Sequence, residues 1–193
     1  IDGNFPFGYR VNFRDTYQWT NFILNKIKNI KNVNWIIKDH PIAKVYGQEP
    51  RINFERKINY LSENFSHIKR WPRNFSNTSL LKVADVAVTS SGTIGIEYPA
   101  YGIQSVFTEK SSYSNLNFMK MINTKKNIIY KINSLNKIQK PSKNLVNQCK
   151  QYLFIRESLL GVKSSLLPDY IASRNIVDDE FWELCIKKIS NYN

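Results

Sequence analysis

Hydrophobic residues recur along the first third of this chain in alternating helical and strand patterns. Asp15 can cap a helix whose apolar residues repeat at helical spacing, namely Trp19, Phe22, Ile23, Ile27 and Ile30. An apolar strand over residues 33–37 follows, and the pattern then predicts a loop at 42–50, a helix at 53–63, a strand at 67–69 and a helix from Ser76 or Asn77 to Ala84. This alternation predicts a parallel sheet covered on both faces, with ligand loops at the carboxyl ends of its strands.

The clearest pattern lies in residues 80–107. It predicts the end of a helix, a strand at 86–88, a Ser/Gly turn at 89–93, a helix at 94–101 and a strand at 103–107. Such a unit is typical of doubly wound α/β folds. Its polar turn leads into a helix N-terminus, where backbone N–H groups and the helix dipole can hold a phosphate. The turn is therefore a candidate site for a phosphorylated ligand.

The pattern is less regular beyond residue 107. It predicts a loop at 108–117, a last strand at 127–132, a helix at 141–160 and a final helix from about Asp178 that carries Phe181, Leu184, Cys185 and Ile189 on one face. We expect residues 1–193 to form a single Rossmann-like domain with extra C-terminal helices. Because the sequence opens at Ile1 in what resembles the middle of a fold, we also expect it to be a fragment that lacks an N-terminal half.

The net charge of the chain indicates which kinds of partner it would bind. The chain carries 28 lysine and arginine residues against 15 acidic ones, a net charge of +13, which favours anionic partners such as nucleotides, nucleic acid, acidic polysaccharide or the inner leaflet of a membrane. The alternative is a solvated basic surface with no dedicated partner. No zinc finger, RNA-binding aromatic motif or glycine-lysine phosphate loop is present, so we do not expect a nucleic-acid partner.

Cysteine spacing and hydropathy bear on the compartment. Cys149 and Cys185 have no CxxC spacing and no neighbouring histidines, so neither a metal site nor a disulfide framework is expected. No apolar run is long enough to cross a bilayer, and the N-terminus lacks the pattern of a secretion signal. We expect a cytoplasmic protein, or one bound peripherally at the inner membrane.

His40 is the first candidate for chemistry. It stands at the carboxyl end of an apolar strand, and Pro41 restrains the loop that follows. An imidazole there can donate a hydrogen bond to a phosphate oxygen, and Lys38 adds a full positive charge nearby. The structural alternative is a histidine that braces the loop.

The second candidate is the polar turn itself. Ser90, Ser91, Gly92 and Thr93 supply hydroxyls and backbone N–H groups at the start of a helix, and Gly92 allows a ligand to approach the backbone closely. Ordinary N-capping would explain one hydroxyl but not a cluster. Glu97 falls one helical turn beyond Thr93 and can accept hydrogen bonds from ribose hydroxyls, or can serve only as a partner of the helix dipole.

The loop after the preceding strand carries Trp71, Arg73 and Asn74, where backbone groups can read the edge of a nucleobase. A packed tryptophan with solvated neighbours is the alternative. Tyr113, in the Ser/Asn loop, is a weaker candidate.

Together these residues bring a family into view. A strand that ends in Lys38-x-His40-Pro41, followed about fifty residues later by Ser90, Ser91, Gly92, Thr93 and Glu97, resembles the C-terminal nucleotide-sugar-binding half of GT-B glycosyltransferases. The likeness is to bacterial capsule and lipopolysaccharide transferases with HP and SS motifs, including the Kdo transferases and other users of CMP-sugars. It covers about residues 16–118, and it implies that His40, Ser90 and Ser91 hold the phosphate of the donor.

The sequence also departs from that family. Pro99 lies inside a helix where the family usually has small helix formers, so we expect that helix to be short or bent. Related glycerophosphotransferases often have an aspartate at the position of Glu97, which favours a sugar donor here.

The resemblance implies a metal-independent, nucleotide-sugar-dependent glycosyltransferase without a cofactor, acting on a polysaccharide or lipid-linked acceptor. Its catalytic base would lie in the missing half. The alternatives are a nucleotide-sugar 2-epimerase of the same fold and a non-catalytic module that binds anionic surfaces.

Overall fold

A computed structural model describes residues 11–39, 48–72 and 74–156, together with the single positions Glu183 and Lys187. Its contacts divide the chain into two compact units, Ile1–Leu153 and Phe154–Asn193, and all but a few of the described residues belong to the first. The prediction of one domain over residues 1–193 stays a prediction. The predicted C-terminal helix around Phe181 and Cys185 lies almost wholly outside the described residues.

Helices and strands alternate through the first unit. Their order is α1 (Thr16–Ile27), β1 (Trp35–Ile37), α2 (Gln48–Asn64), β2 (Ile68–Arg70), α3 (Asn77–Leu80), β3 (Val86–Thr89), α4 (Ile94–Ala100), β4 (Gln104–Phe107), α5 (Lys125–Asn133), a 3-10 turn (Leu135–Lys137) and α6 (Lys143–Phe154). The chain is therefore a mixed α/β protein, as the sequence pattern predicts. No helix in the described part of the chain is both long and apolar enough to cross a bilayer.

The strands form two parallel pairs. β1 pairs with β2 in the register Trp35 to Ile68, and β3 pairs with β4 in the register Val86 to Gln104. The helix that lies between the strands of each pair makes the parallel arrangement possible. Among the described residues no strand ladder joins the two pairs, so the predicted continuous doubly wound sheet is not seen.

One face of β1 is less covered than the sequence pattern predicts. Ile36, at the centre of the strand, is 40% exposed, and its register partner Lys69 on β2 is also exposed. Trp35 and Ile68, on the other face, are buried in the main apolar cluster with Leu24, Ile27 and Leu61 from the flanking helices. The packing of this pair is therefore one-sided at its centre.

Local sequence explains several helix boundaries. The carboxylate of Asp15 accepts a hydrogen bond from the N–H of Gln18, and the hydroxyl of Ser76 accepts one from Ser79, so both predicted caps are confirmed. α2 begins at Gln48, inside the predicted loop 42–50. Pro50 is tolerated there because N–H groups of the first helical turn have no intrahelical partner. α4, which contains Pro99, is only seven residues long, in agreement with the expectation of a short helix.

The predicted last strand at 127–132 is wrong. These residues lie in α5, where Thr124 caps the helix by accepting from the N–H of Asn127. Ile128 and Ile132 are both fully buried. They are four residues apart, a spacing that places both side chains on one face of a helix. The burial of this face outweighs the preference of isoleucine for strands.

Candidate functional site

The first pair of strands places two of the predicted residues side by side. Lys38 follows β1 and Trp71 follows β2, and the N–H of Trp71 donates to the carbonyl of Ile37 at 2.8 Å. Lys38 is half-buried, with its Nζ atom 3.4 Å from the carbonyl oxygen of Asp39. The predicted residues His40 and Pro41 lie outside the described residues.

An ion pair that sequence reasoning missed lies at the same strand ends. The Nη2 atom of Arg70 contacts the carboxylate of Asp39 and lies 3.9 Å from an oxygen of Glu55, while Nη1 donates to Asn59 at 3.0 Å. Arg70 thereby ties the residue after β1 to the end of β2 and to α2. The sequence does place opposite charges, Asp39 and Arg70, at the ends of β1 and β2. The ion pair could be predicted from them only if the register of the two strands were known.

Trp71 and Asn74 differ in their surroundings. Trp71 is half-buried and packs edge-on against Phe75, with ring centroids 5.5 Å apart, beside the cluster formed by Leu80, Ala87, Tyr98 and Ile103. Its indole Nε1 has no hydrogen-bond partner in the described part of the chain. Asn74 is exposed. The structure therefore gives Trp71 a packing role, with its indole N–H buried.

The second pair of strands carries the Ser/Gly turn. Ser90 follows β3 and is buried, and its carbonyl accepts from the N–H groups of Thr108 and Glu109, both at 3.0 Å. The beginning of the turn is thus joined to the chain that leaves β4. Ser90 therefore fixes the position of the turn relative to both strands.

Gly92 is held from two sides. Its N–H donates to the hydroxyl of Thr89 at 3.2 Å, and its carbonyl accepts from the hydroxyl of the buried Tyr113 at 2.7 Å. A Cβ atom on residue 92 would lie 2.9 Å from the Thr89 hydroxyl, which explains the glycine. Tyr113 is therefore a structural support of the turn.

The rest of the turn faces outward. Thr93 is exposed and makes no side-chain cap, and the N–H groups of Ser91 and Thr93 donate to no other described residue. Glu97 is half-buried one helical turn further on, where its N–H donates to the carbonyl of Thr93 at 2.9 Å. The turn therefore offers the backbone N–H groups and the hydroxyls of Ser91 and Thr93, with the carboxylate of Glu97 one helical turn away.

Electrostatics around α4 follow from burial. Tyr98, next to Glu97, is buried, and burial followed by the negative charge of Glu97 raises the pKa of its phenol. Among the described residues, no three or more histidine, cysteine, aspartate or glutamate side chains lie close enough to hold a metal ion.

The structure thus brings Ser90, Ser91, Gly92, Thr93 and Glu97 together in one turn and helix, and places Lys38 and Trp71 at adjacent ends of the other strand pair. Comparison with protein-family models, curated proteins and solved structures finds no match to this chain.

Proposed function

We propose that this chain contains the donor-binding half of a GT-B glycosyltransferase. The enzyme would transfer a sugar from a nucleotide donor, with a CMP-sugar favoured, to a polysaccharide or lipid-linked acceptor in bacterial surface polysaccharide synthesis. In this proposal the two strand pairs belong to one Rossmann-like doubly wound sheet. The protein acts in the cytoplasm, in peripheral contact with the inner membrane.

The turn between β3 and α4 is the observation that carries the proposal. Ser90 and Gly92 are fixed by hydrogen bonds, whereas the N–H groups of Ser91 and Thr93 donate to no described residue. A rigid turn with open backbone donors binds a phosphate without having to reorganise, and such donors stabilise the charge that develops on a leaving phosphate.

The remaining candidates take roles around that phosphate. Lys38 and His40 supply positive charge and a hydrogen bond from the end of β1, and Glu97 accepts from the ribose hydroxyls. Trp71 and Asn74 lie where a nucleobase would be read. No metal and no cofactor take part in this scheme, and the catalytic base belongs to another part of the enzyme.

The sharpest test is Ser91→Ala in a thermal-shift panel of CMP, CDP, UDP, GDP and their sugar conjugates. Ser91 makes no side-chain hydrogen bond to a described residue, so its loss should leave the stability of the free protein unchanged. We expect one nucleotide to raise the melting temperature of the natural protein, and Ser91→Ala to weaken that binding about tenfold, because a hydrogen bond to a charged phosphate is lost.

Ser66→Ala is the matched control, since Ser66 is exposed after α2 and is remote in sequence from the turn. His40→Ala should also reduce the shift. The proposal would be abandoned if no nucleotide raised the melting temperature, or if both serine variants responded like the natural protein.

A second candidate, an anionic-surface-binding module, is favoured by one observation. No lysine in the described part of the chain forms an ion pair with a described carboxylate, so their positive charge is uncompensated. Binding to anionic vesicles that is lost at high salt and indifferent to nucleotides would favour this candidate. The 2-epimerase alternative would instead convert a nucleotide-sugar without any acceptor.

A further inference from the structure

A cleft with a volume of about 460 Å³ lies along β4, apart from the Ser/Gly turn. It is lined by residues of β4, the segment 118–123 and α5, together with Pro99 and Leu145. None of the described candidate donor-site residues lines it. Its volume is within the usual range for small-molecule sites, and an inference about it is independent of the proposed function.

Part of the lining of the cleft is apolar and adaptable. The half-buried Phe118, Met121 and Ile122 supply the apolar side chains that remain accessible there, whereas Phe107 and Met119 are almost wholly buried. Methionine side chains adjust to different apolar shapes because they are unbranched and polarizable. This part of the cleft suits an aliphatic or aromatic body.

The charge of the cleft has one sign. Lys120 and Lys131 line it, whereas no aspartate or glutamate does. Neither lysine forms an ion pair with a described residue. The exposed residues Asn123, Asn127 and Tyr130 add hydrogen-bonding groups to the lining. An anionic group bound there would meet positive charge that no described carboxylate neutralises.

The backbone on one side of the cleft is also open. β4 pairs with β3 on one edge, and on its other edge the only described backbone hydrogen bond is from the N–H of Ile122 to the carbonyl of Phe107, at 3.0 Å. An edge that is only partly paired exposes further N–H and C=O groups. These groups can orient a ligand that enters the cleft.

We propose that this cleft binds an amphipathic organic anion, with an apolar body against Phe118, Met121 and Ile122 and a carboxylate or phosphate monoester held by Lys120 and Lys131. The apolar surface selects against inorganic anions, and the lysines select against neutral amphiphiles.

Isothermal titration calorimetry on the full chain tests the proposal with four probes below their micelle concentrations: decanoate, decyl phosphate, decanol and inorganic phosphate. We expect one saturable site for decanoate or decyl phosphate, and binding of decanol and inorganic phosphate that is at least about tenfold weaker, because each of them lacks one of the two recognised parts. Whichever of decanoate and decyl phosphate binds better identifies the anionic group.

Two sets of variants locate the site. Lys120→Gln combined with Lys131→Gln should weaken binding about tenfold or more, whereas Lys126→Gln combined with Lys137→Gln removes the same charge from lysines that do not line the cleft. Asn127→Phe adds a large side chain to the lining of the cleft and should abolish binding, whereas Asn133→Phe, on the same helix but not in the lining, should not. Melting temperatures of the free variants show that each is folded.

The proposal is overturned if neither organic anion binds, if decanol binds as well as decanoate, or if the cleft variants bind like their controls.

Discussion

Cys149 shows how burial sets the chemistry of one side chain. It is fully buried on α6, with its Sγ atom 4.0 Å from the sulfur of Met119. Burial raises the pKa of its thiol to about 11, because the thiolate would lose its hydration. The thiolate is the reactive form of cysteine, so this side chain should be inert at neutral pH.

We therefore expect Cys149 to resist Ellman's reagent at pH 7.5 in a Cys185→Ser background, and to react stoichiometrically once urea has unfolded the protein. A cysteine peptide in the same buffer gives the reference rate. Stoichiometric reaction of the native protein at that rate would show that the thiol is accessible.

The raised pKa of Cys149 also makes the stability of the folded protein depend on pH. The pKa of the folded protein's thiol lies above the ordinary value of 9.0. Below about pH 9 the thiol is neutral in both the folded and the unfolded protein, and its contribution to the free energy of unfolding is fully present. This contribution decreases as the pH rises from 9 towards 11. Comparing urea unfolding of the natural protein and Cys149→Ala across this range isolates it, since other groups titrate equally in both proteins.

At the scale of elements, the turn between β3 and α4 depends on a side chain from the loop after β4. The hydroxyl of Ser105 donates to the carbonyl of Gly95 at 2.6 Å, and the ring of Tyr113 lies directly against Gly95. A Cβ atom on residue 95 would be 2.1 Å from the Tyr113 hydroxyl oxygen. The close approach of the loop is therefore possible only with glycine at this position of α4.

Gly95→Ala should lower the free energy of unfolding by about 3 kcal/mol, because the tyrosine must be displaced from a packed position. The comparison is Gly102→Ala. Gly102 has a φ of +79° but no atom near the added methyl group, so about 1 kcal/mol is expected from backbone strain alone. Both values come from urea unfolding.

Tyr113→Leu should recover part of the loss in the Gly95→Ala background, because the hydroxyl and the ring edge are removed. Equal effects of the two glycine substitutions would contradict the role assigned to Tyr113.

Comparison of the predicted and observed elements shows which parts of the fold are determined by nearby residues in the sequence. The unit from β3 to β4 is predicted within one or two residues, because its polar turn and its apolar runs all lie within about thirty residues of sequence. α5 is mistaken for a strand because isoleucine and tyrosine favour strands, and the burial that decides for a helix comes from the main apolar cluster.

The candidate site likewise has a part that the sequence predicts and a part that it does not. The Ser/Gly turn is visible as a motif, whereas Tyr113 and the contact between Asp39 and Arg70 depend on register and on loop packing. No local pattern encodes those contacts.

At the scale of the whole first unit, one buried carboxylate connects distant parts of the chain. Glu109 is fully buried after β4, and its oxygens accept from the N–H groups of Val11 and Asn12. The side chain of Asn12 in turn donates to the carbonyls of Thr108 and Ile122, and the indole of Trp19 donates to the hydroxyl of Thr108 at 2.8 Å. This set of bonds fastens the segment before α1 to the end of β4.

Glu109→Gln should lower the free energy of unfolding by about 3 kcal/mol, because an amide of the same size loses the charge and turns an N–H group toward backbone donors. Glu63→Gln, at an exposed position of α2, should change it by less than about 0.5 kcal/mol. Urea unfolding followed by far-UV circular dichroism gives both values. Similar values for the two variants would mean that Glu109 is not an anchor.

The fastening of Val11 to Glu109 also sets an order of events during synthesis on the ribosome. The two residues are 98 positions apart, and Asn12 and Ile122 are 110 apart. At about 5 to 20 residues per second, the segment before α1 waits roughly 5 to 20 s for its partners to be made. Its backbone groups are hydrated by solvent or covered by a chaperone during that interval. The docking of this segment therefore has to wait until β4 and the chain up to Ile122 have been made, and it cannot start the folding of the unit.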